Sequence, residues 1–481
     1  MSIRRGDEYL ESLRDGRRVW VMGERVEDVT AHPALAGCAR SVATIYDLQH
    51  DPAHQDLLTI PSPSTGQPVS RSYLLSKSVE DLMSQRRMYE LLVRRAGGVA
   101  ARLPQHLATV VLGLYDVRDL LGRDDPAFAE HVARYFEHCR DHDLSIATVF
   151  SNPLHHRNYP VSKQEPLRVV GRRPGGIVVR GAKGVGTQTP YANEIFCMTS
   201  PRPGLTPEEG VYFATSANAE GVHIICREPL ASANVADHPV SPLWDEMDAI
   251  VVFDDVFIPW ERVFYLRRSP ALDLDFETRL FQGAVGLGPW YVLVRMAVKA
   301  EVLLGIYAAI ADSLGSTAQP PVQMGLADAM VYLETLRGCI RAAEANAVRS
   351  PSGLVMPNPT TALAARAFAI ERYPTLLQHI RELCGPGLLM APGQADLDNP
   401  EIGVHLHRYF VARDDGASER FRLLKLAWEY ACDSFGSRQL LFEMYNVGSL
   451  ATNKQRLATT YDTRACVALA RELAGIVGDG P

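Results

Sequence analysis

The hydrophobic period of this chain changes twice along its length, which limits the folds open to it. Residues 1–145 read mainly as helix, residues 146–270 as short strands, and residues 271–481 as helix again. That order predicts an α+β protein with an N-terminal helical domain, a central sheet domain and a C-terminal helical bundle.

Local signals sharpen each part. Ser78-Val79-Glu80-Asp81 has the form of a capping box, and Leu82, Tyr89, Leu92 and Val93 follow near one helical face. Gly97-Gly98 ends that helix. Asp125 before Pro126 predicts the N-cap and first-turn proline of a helix running to Cys139. Val19, Val21 and Val26 around Met22-Gly23 predict a small hairpin. In the middle part the β-rich runs are Leu167–Val170, Ile177–Arg180, Glu194–Met198, Val211–Ala214, Val222–Cys226, Ile250–Phe253 and Val256–Ile258. Their even spacing and Gly/Pro punctuation predict an antiparallel barrel or sandwich. Helices are predicted over 276–313, 322–349, 360–384, 416–445 and 453–476. Several of these are apolar nearly all round, as in a bundle or at a subunit interface.

Composition removes several function classes. Apolar residues are 47% and charged residues 22%, enough to bury a core, so disorder is excluded for most of the chain. The net charge of −7 lacks the basic surplus of a nucleic-acid or anionic-membrane protein. The longest apolar stretch, Trp290–Ala311, carries Arg295, Lys299 and Glu301, so it reads as a buried helix and not a membrane span. The polar N-terminus carries no secretory signal, and the eight cysteines are far apart without a CxxC. Both features predict reduced thiols in the cytoplasm. There is no G-x-G-x-x-G, P-loop or G-x-S-x-G, which argues against nicotinamide, P-loop and α/β-hydrolase chemistry. The pairs His50/His54, His155-His156 and His405/His407 lack metal-ligand geometry, so no metal site is predicted.

Several runs together resemble the oxygenase component of the 4-hydroxyphenylacetate 3-monooxygenase family. They include Tyr46-Asp-Leu-Gln-His-Asp-Pro52, Ile177–Lys183 with Thr187 and Pro190–Glu194, and Glu246-Met-Asp248 leading into Phe253–Val263. Leu426-Ala-Trp-Glu429 and Phe435-Gly-Ser-Arg-Gln439 continue the resemblance in order. It implies an acyl-CoA dehydrogenase-like fold with a central antiparallel β-barrel, assembled as a homotetramer, a dimer of dimers. It implies reduced FAD supplied by a separate NAD(P)H–flavin reductase, and O2 as co-substrate. A flavin C4a-hydroperoxide would then hydroxylate a phenol or hydroxylated heteroaromatic ring.

The resemblance also assigns residues. The family's substrate-activating stretch Arg-Ser-Pro-Asp-Tyr is matched by Arg102-Leu-Pro-Gln-His106. Arg102 is the expected catalytic cation, since a permanent guanidinium can hold a phenolate oxygen. His106, in place of the tyrosine, is expected to donate a hydrogen bond or take a proton. Thr148 stands where the family has a histidine; it can donate but cannot act as a base at neutral pH. Ser200 matches a substrate-loop position, with Pro201 where a threonine is common. These changes point to a specialised, biosynthetic substrate other than 4-hydroxyphenylacetate. Flavin contacts are expected from Thr148, Phe150, Arg157, Thr187, Arg438, Gln439, Val447 and Gly448, with Arg157 toward the pyrophosphate. Asp254-Asp255 are read as structural.

Three other functions fit parts of the pattern. An acyl-CoA dehydrogenase or oxidase would need a catalytic carboxylate by the flavin. A lyase like 4-hydroxybutyryl-CoA dehydratase would need a cysteine pair near Arg102 and His106 to ligate an iron–sulfur cluster, and none lies there. A non-enzymatic scaffold would have no use for the retained flavin segments.

Overall fold

The computed structural model describes residues 3–153, 165–230, 234–268, 273–410 and 416–476. Arg157 and the pair His155-His156 lie outside them.

Helices dominate up to Asp141, among them Val79–Arg95, Pro104–Asp116 and Pro126–Asp141. The capping box forms as its sequence predicts: the Asp81 amide donates to Ser78 Oγ at 3.1 Å, and the Ser78 amide donates to the Asp81 carboxylate at 3.1 Å. Asp125 accepts from the Ala127 amide at 3.1 Å, with Pro126 opening the next helix. The predicted hairpin is present as Val19–Val21 and Glu24–Val26.

Most strands belong to two larger sheets. One has six strands in the order Glu24–Val26, Val19–Val21, Val222–Cys226, Ala249–Pro259, Gly176–Lys183, Arg168–Arg173. The other has four: Val263–Leu266, Val211–Ser216, Glu194–Met198, Ile146–Val149. The expectation of one antiparallel barrel is refined on two points. No pairing among the described residues closes the sheets into a barrel, and two pairs are parallel, Val19–Val21 with Val222–Cys226 and Ile146–Val149 with Glu194–Met198. The two runs Ile250–Phe253 and Val256–Ile258 are one strand, interrupted by a bulge at Asp254-Asp255, where Asp255 pairs with Arg180 on the surface.

Side-chain alternation in the four-stranded sheet sets where the site lies. Ile195, Cys197 and Phe213 enter one core with Val222, Ile224, Val251 and Phe253 of the larger sheet. Phe196, Met198 and Tyr212 point the other way, into the core of the helices. Ile146 belongs to the helical core and Val149 to the sheet core, so Thr148 shares the helical side with Ile146. Being buried on both faces, this strand shows no alternation in its sequence.

The C-terminal helices include Gly288–Ser313, Pro320–Ala345, Pro359–Cys384, Gly416–Ala431, Ser434–Tyr445 and Leu450–Thr460. Three predicted helices are in fact broken. The span 276–313 divides into Leu274–Ala284 and Gly288–Ser313, because Pro289 lacks the N–H a continuous helix needs and suits a first turn instead. The span 416–445 divides at Asp433, whose carboxylate caps the second helix through the Gly436 amide at 2.7 Å. The span 453–476 divides into Leu450–Thr460 and Arg464–Leu473. No described helix is long and apolar enough to cross a membrane.

Candidate active site

A cavity of about 1100 Å³ opens where the helical side of the four-stranded sheet meets the surrounding helices. Arg102 and His106 reach it because of one proline. Pro104 keeps the chain extended before it and starts the helix Pro104–Asp116, which leaves Arg102 just outside the first turn and His106 within it. Arg102 Nη1 lies 3.2 Å from His106 Nε2, and Nη2 donates to Asn446 Oδ1 at 2.8 Å. The Arg102 amide donates to Glu246 Oε1 at 2.5 Å. Among the described residues no carboxylate pairs with this guanidinium. Burial lowers its pKa to about 10, so it stays protonated at neutral pH.

A guanidinium can only donate, so His106 Nε2 accepts and its hydrogen sits on Nδ1. That Nδ1 is buried without a partner. Burial, Arg102 and Arg295 together push the imidazolium pKa well down. His106 is therefore held neutral, with its Nδ1–H buried. Its lowered pKa disfavours proton uptake near neutral pH.

The other wall is built on carboxylates. Thr187 Oγ1 donates to Asp248 Oδ1 at 2.6 Å. Arg438 grips both oxygens of Asp248, at 2.9 and 2.8 Å, and reaches Glu246 Oε2 at 3.3 Å. Arg227 adds contacts to Asp248 at 3.1 Å and Asp245 at 2.5 Å. Burial pushes Asp248 upward, but Arg438, Thr187 and Arg227 outweigh it and hold the pKa at about 2. Glu246 is wholly buried and touches both walls: one oxygen takes the Arg102 amide, the other the Arg438 guanidinium.

Behind this wall lies a second buried cluster. Glu443 pairs with Arg295 and, at 2.6 Å, with Lys299. Arg366 donates to the carbonyls of Glu443 and Asn446. Burial lowers Lys299 to about 8. Gln439 belongs to this cluster: its Oε1 accepts from Lys299 at 2.9 Å, and it is not among the residues lining the cavity.

The remaining expected residues converge. Thr148, Phe150, Thr187, Ser200, Arg438, Val447 and Gly448 line the cavity with Arg102 and His106, as does Pro201. Val447 (φ 59°) and Val185 (φ 55°) are β-branched residues in the left-handed region, and both line the cavity. Such conformations cost on the order of 1–3 kcal/mol and concentrate at functional sites. Sequence reasoning quoted Asp248 within a motif but assigned it no role; its spacing carries no sign of partners at 187 and 438. Thr278, Gln282, Gln455 and Arg456 were missed outright, because polar residues on a helix look solvent-facing.

Fold and cavity together define an acyl-CoA dehydrogenase-like architecture, with a large open site between sheet and bundle. The 4-hydroxyphenylacetate 3-hydroxylase N-terminal model matches residues 5–265 and its C-terminal model residues 282–475. The chain belongs to this family, and it is a monooxygenase. It is 34% identical to the 4-hydroxyphenylacetate 3-monooxygenase oxygenase component of Geobacillus sp., covering 93% of this chain and 92% of that one. It is 32% identical to the oxygenase component of the 4-nitrophenol 4-monooxygenase/4-nitrocatechol 2-monooxygenase of Rhodococcus opacus, over 92% and 85% of the two chains. A crystal structure of an oxygenase component of 4-hydroxyphenylacetate 3-monooxygenase complexed with FAD superposes with a TM-score of 0.92 at 32% identity, over 98% of each chain.

Proposed function

We propose that this chain is the oxygenase component of a two-component system. It takes reduced FAD from a separate NAD(P)H–flavin reductase and, with O2, hydroxylates a phenol or hydroxylated heteroaromatic ring. The observation that carries this reading is Arg102: a half-buried guanidinium at the cavity with no carboxylate on it among the described residues. A largely desolvated guanidinium with no carboxylate in direct contact can take an incoming anion, and a phenolate is one. Arg102 would hold the phenolate oxygen, which keeps the ring electron-rich.

The residues present fit a flavin. The cavity exceeds the roughly 300–1,000 Å³ of a single drug-sized ligand, leaving room for a cofactor and a ring together. Thr187 gives its hydrogen to Asp248, so its oxygen can only accept; it suits a ring N–H. When bound, reduced FAD supplies the electrons that activate O2. The protein binds and orients both rings, holds the phenolate and excludes water. Phe150, packed edge-on against Phe281, forms part of that water-excluding wall.

Thr148 and Pro201, where the family has histidine and threonine, support a specialised, biosynthetic substrate rather than 4-hydroxyphenylacetate. An acyl-CoA dehydrogenase or oxidase is disfavoured: Asp248 is the one carboxylate lining the cavity among the described residues, and at a pKa of about 2 it is too weak a base. The helix Arg464–Leu473 buries none of its residues and exposes Leu469 and Leu473, one turn apart on one face. An unpartnered apolar stripe supports a homo-oligomer, a dimer of dimers. All eight cysteines are free, which supports a cytoplasmic setting. Division of the chain at 145 and 270 is part of the same proposal, since the last N-terminal helix ends at Asp141 and the first C-terminal helix begins at Leu274.

The test is anaerobic binding of reduced FAD, then rapid mixing with oxygen and a panel of phenols and hydroxypyridines. Enzyme-bound flavin should reoxidise with kinetics unlike free flavin, and one phenol class should gain an oxygen by mass. Reoxidation identical to free flavin, with no product, would sink the reading.

A further inference from the structure

The cavity holds a third guanidinium that the reaction above leaves without a task. Arg456 lies on the helix Leu450–Thr460, and Thr452, Gln455, Arg456 and Thr459 all line the cavity. Their spacing, i, i+3, i+4 and i+7, is that of one helical face. This face therefore turns toward the cavity and not simply to solvent, and it is polar throughout. Arg102 and Arg438 each have protein partners. Among the described residues the Arg456 side chain makes no hydrogen bond and no ion pair, and the Gln455 amide is also unpartnered. The helix Leu274–Ala284 brings Thr278 and Gln282, one turn apart, to the same cavity, again without side-chain partners among the described residues. Burial lowers the Arg456 pKa, and no carboxylate offsets that effect. A partly desolvated cation amid unpartnered amides and a hydroxyl is a donor set awaiting oxygen atoms.

We propose that Arg456, with Gln455, Thr278 and Gln282, forms an oxyanion subsite of this cavity that takes a phosphate or carboxylate group of a bound molecule. The planar fork of a guanidinium matches two oxygens of such a group, which gives direction as well as charge. The inference deepens the reading of the site as a flavin and phenol cavity and rests on it. The anion has two sources there: the pyrophosphate of the flavin dinucleotide, or an acidic tail on the aromatic substrate.

The experiment compares the wild type with Arg456→Gln and Arg456→Lys, each first checked for an unchanged thermal midpoint. Calorimetry is run with ADP, which carries the pyrophosphate without the flavin ring. Anaerobic titrations use reduced FAD against reduced riboflavin, and 4-hydroxyphenylacetate against 4-methylphenol, a pair differing in the carboxylate. If the subsite takes the pyrophosphate, Arg456→Gln weakens ADP and reduced FAD by about 10- to 100-fold and leaves riboflavin unchanged. If it takes the substrate's acid, 4-hydroxyphenylacetate weakens by about the same factor while 4-methylphenol and FAD do not. Arg456→Lys should recover part of either loss. Equal binding of every anionic probe to wild type and Arg456→Gln overturns the subsite, and so does a wild type that binds none of them. Arg456-dependent binding of ADP or the acid in a protein that ignores reduced riboflavin and reduced FAD keeps the subsite and removes the flavin reading instead.

Discussion

The Arg102 wall and the Asp248 wall of the cavity are made of the same chemistry, guanidinium against oxygen, put to opposite use. Around Asp248 nearly everything is paired: Arg438 takes both its oxygens, Arg227 and Thr187 add to them, and the carboxylate stays ionised. Around Arg102 the pairing is incomplete. Its guanidinium meets only neutral acceptors, and His106 Nδ1 and Asn446 Nδ2 are buried with nothing to bond. A satisfied network resists rearrangement; a guanidinium without a carboxylate can take an incoming anion. The first wall is a frame and the second a receptor, and Glu246 joins them by holding the Arg102 backbone in register with Arg438.

The largest test of that contrast is Arg438→Met. It strands Asp248 and Glu246 as buried carboxylates short of a partner and should cost about 3–5 kcal/mol, read as a lowered thermal midpoint or lost soluble yield. Arg102→Met strands no carboxylate, so the fold should survive. Product formation should instead fall about 100- to 1,000-fold, as when one oxyanion donor is removed. Flavin should still be consumed, with the missing oxygen recovered as hydrogen peroxide. If coupling of flavin consumption to product is unchanged, Arg102 is not the receptor cation.

Thr187→Val sits between the two cases. Removing its hydroxyl takes one donor from Asp248 and one acceptor from the cavity, for a loss of about 1–3 kcal/mol in reduced-flavin affinity by anaerobic titration. An unaltered dissociation constant would move Thr187 wholly into the frame.

The smallest effect is a pH dependence. The folded His106 pKa is depressed, so below pH ~6.5 the unfolded chain takes a proton that the folded one refuses, and stability falls on acidification. The slope from this group is at most about 1.4 kcal/mol per pH unit. The gap in thermal midpoint between wild type and His106→Asn should therefore narrow from pH 7 toward 5.5. A gap that widens would mean that the imidazole is protonated in the fold.

Much of the architecture was legible in the residues because periodicity and capping are local. Ser78 with Asp81, and Asp125 with Pro126, mark helix starts within four residues of chain. The helix Pro104–Asp116 was not legible, since almost every residue in it is buried and no polar face betrays its period. The strand Ile146–Val149 escaped for the same reason. Arg295 and Lys299 read as flaws in an apolar helix, yet they are the partners of Glu443 some 144 to 148 positions away.

The order of helix, sheet and helix, the caps, and the family to which the chain belongs can all be taken from the linear string, because each is written in near neighbours or in motifs kept in order. Which guanidinium is neutralised and which is left waiting cannot. Arg438 and Arg102 are the same residue type, and their difference depends on whether a carboxylate from 190 positions away arrives within hydrogen-bonding reach. Only packing of the sheets against the helices settles that distance.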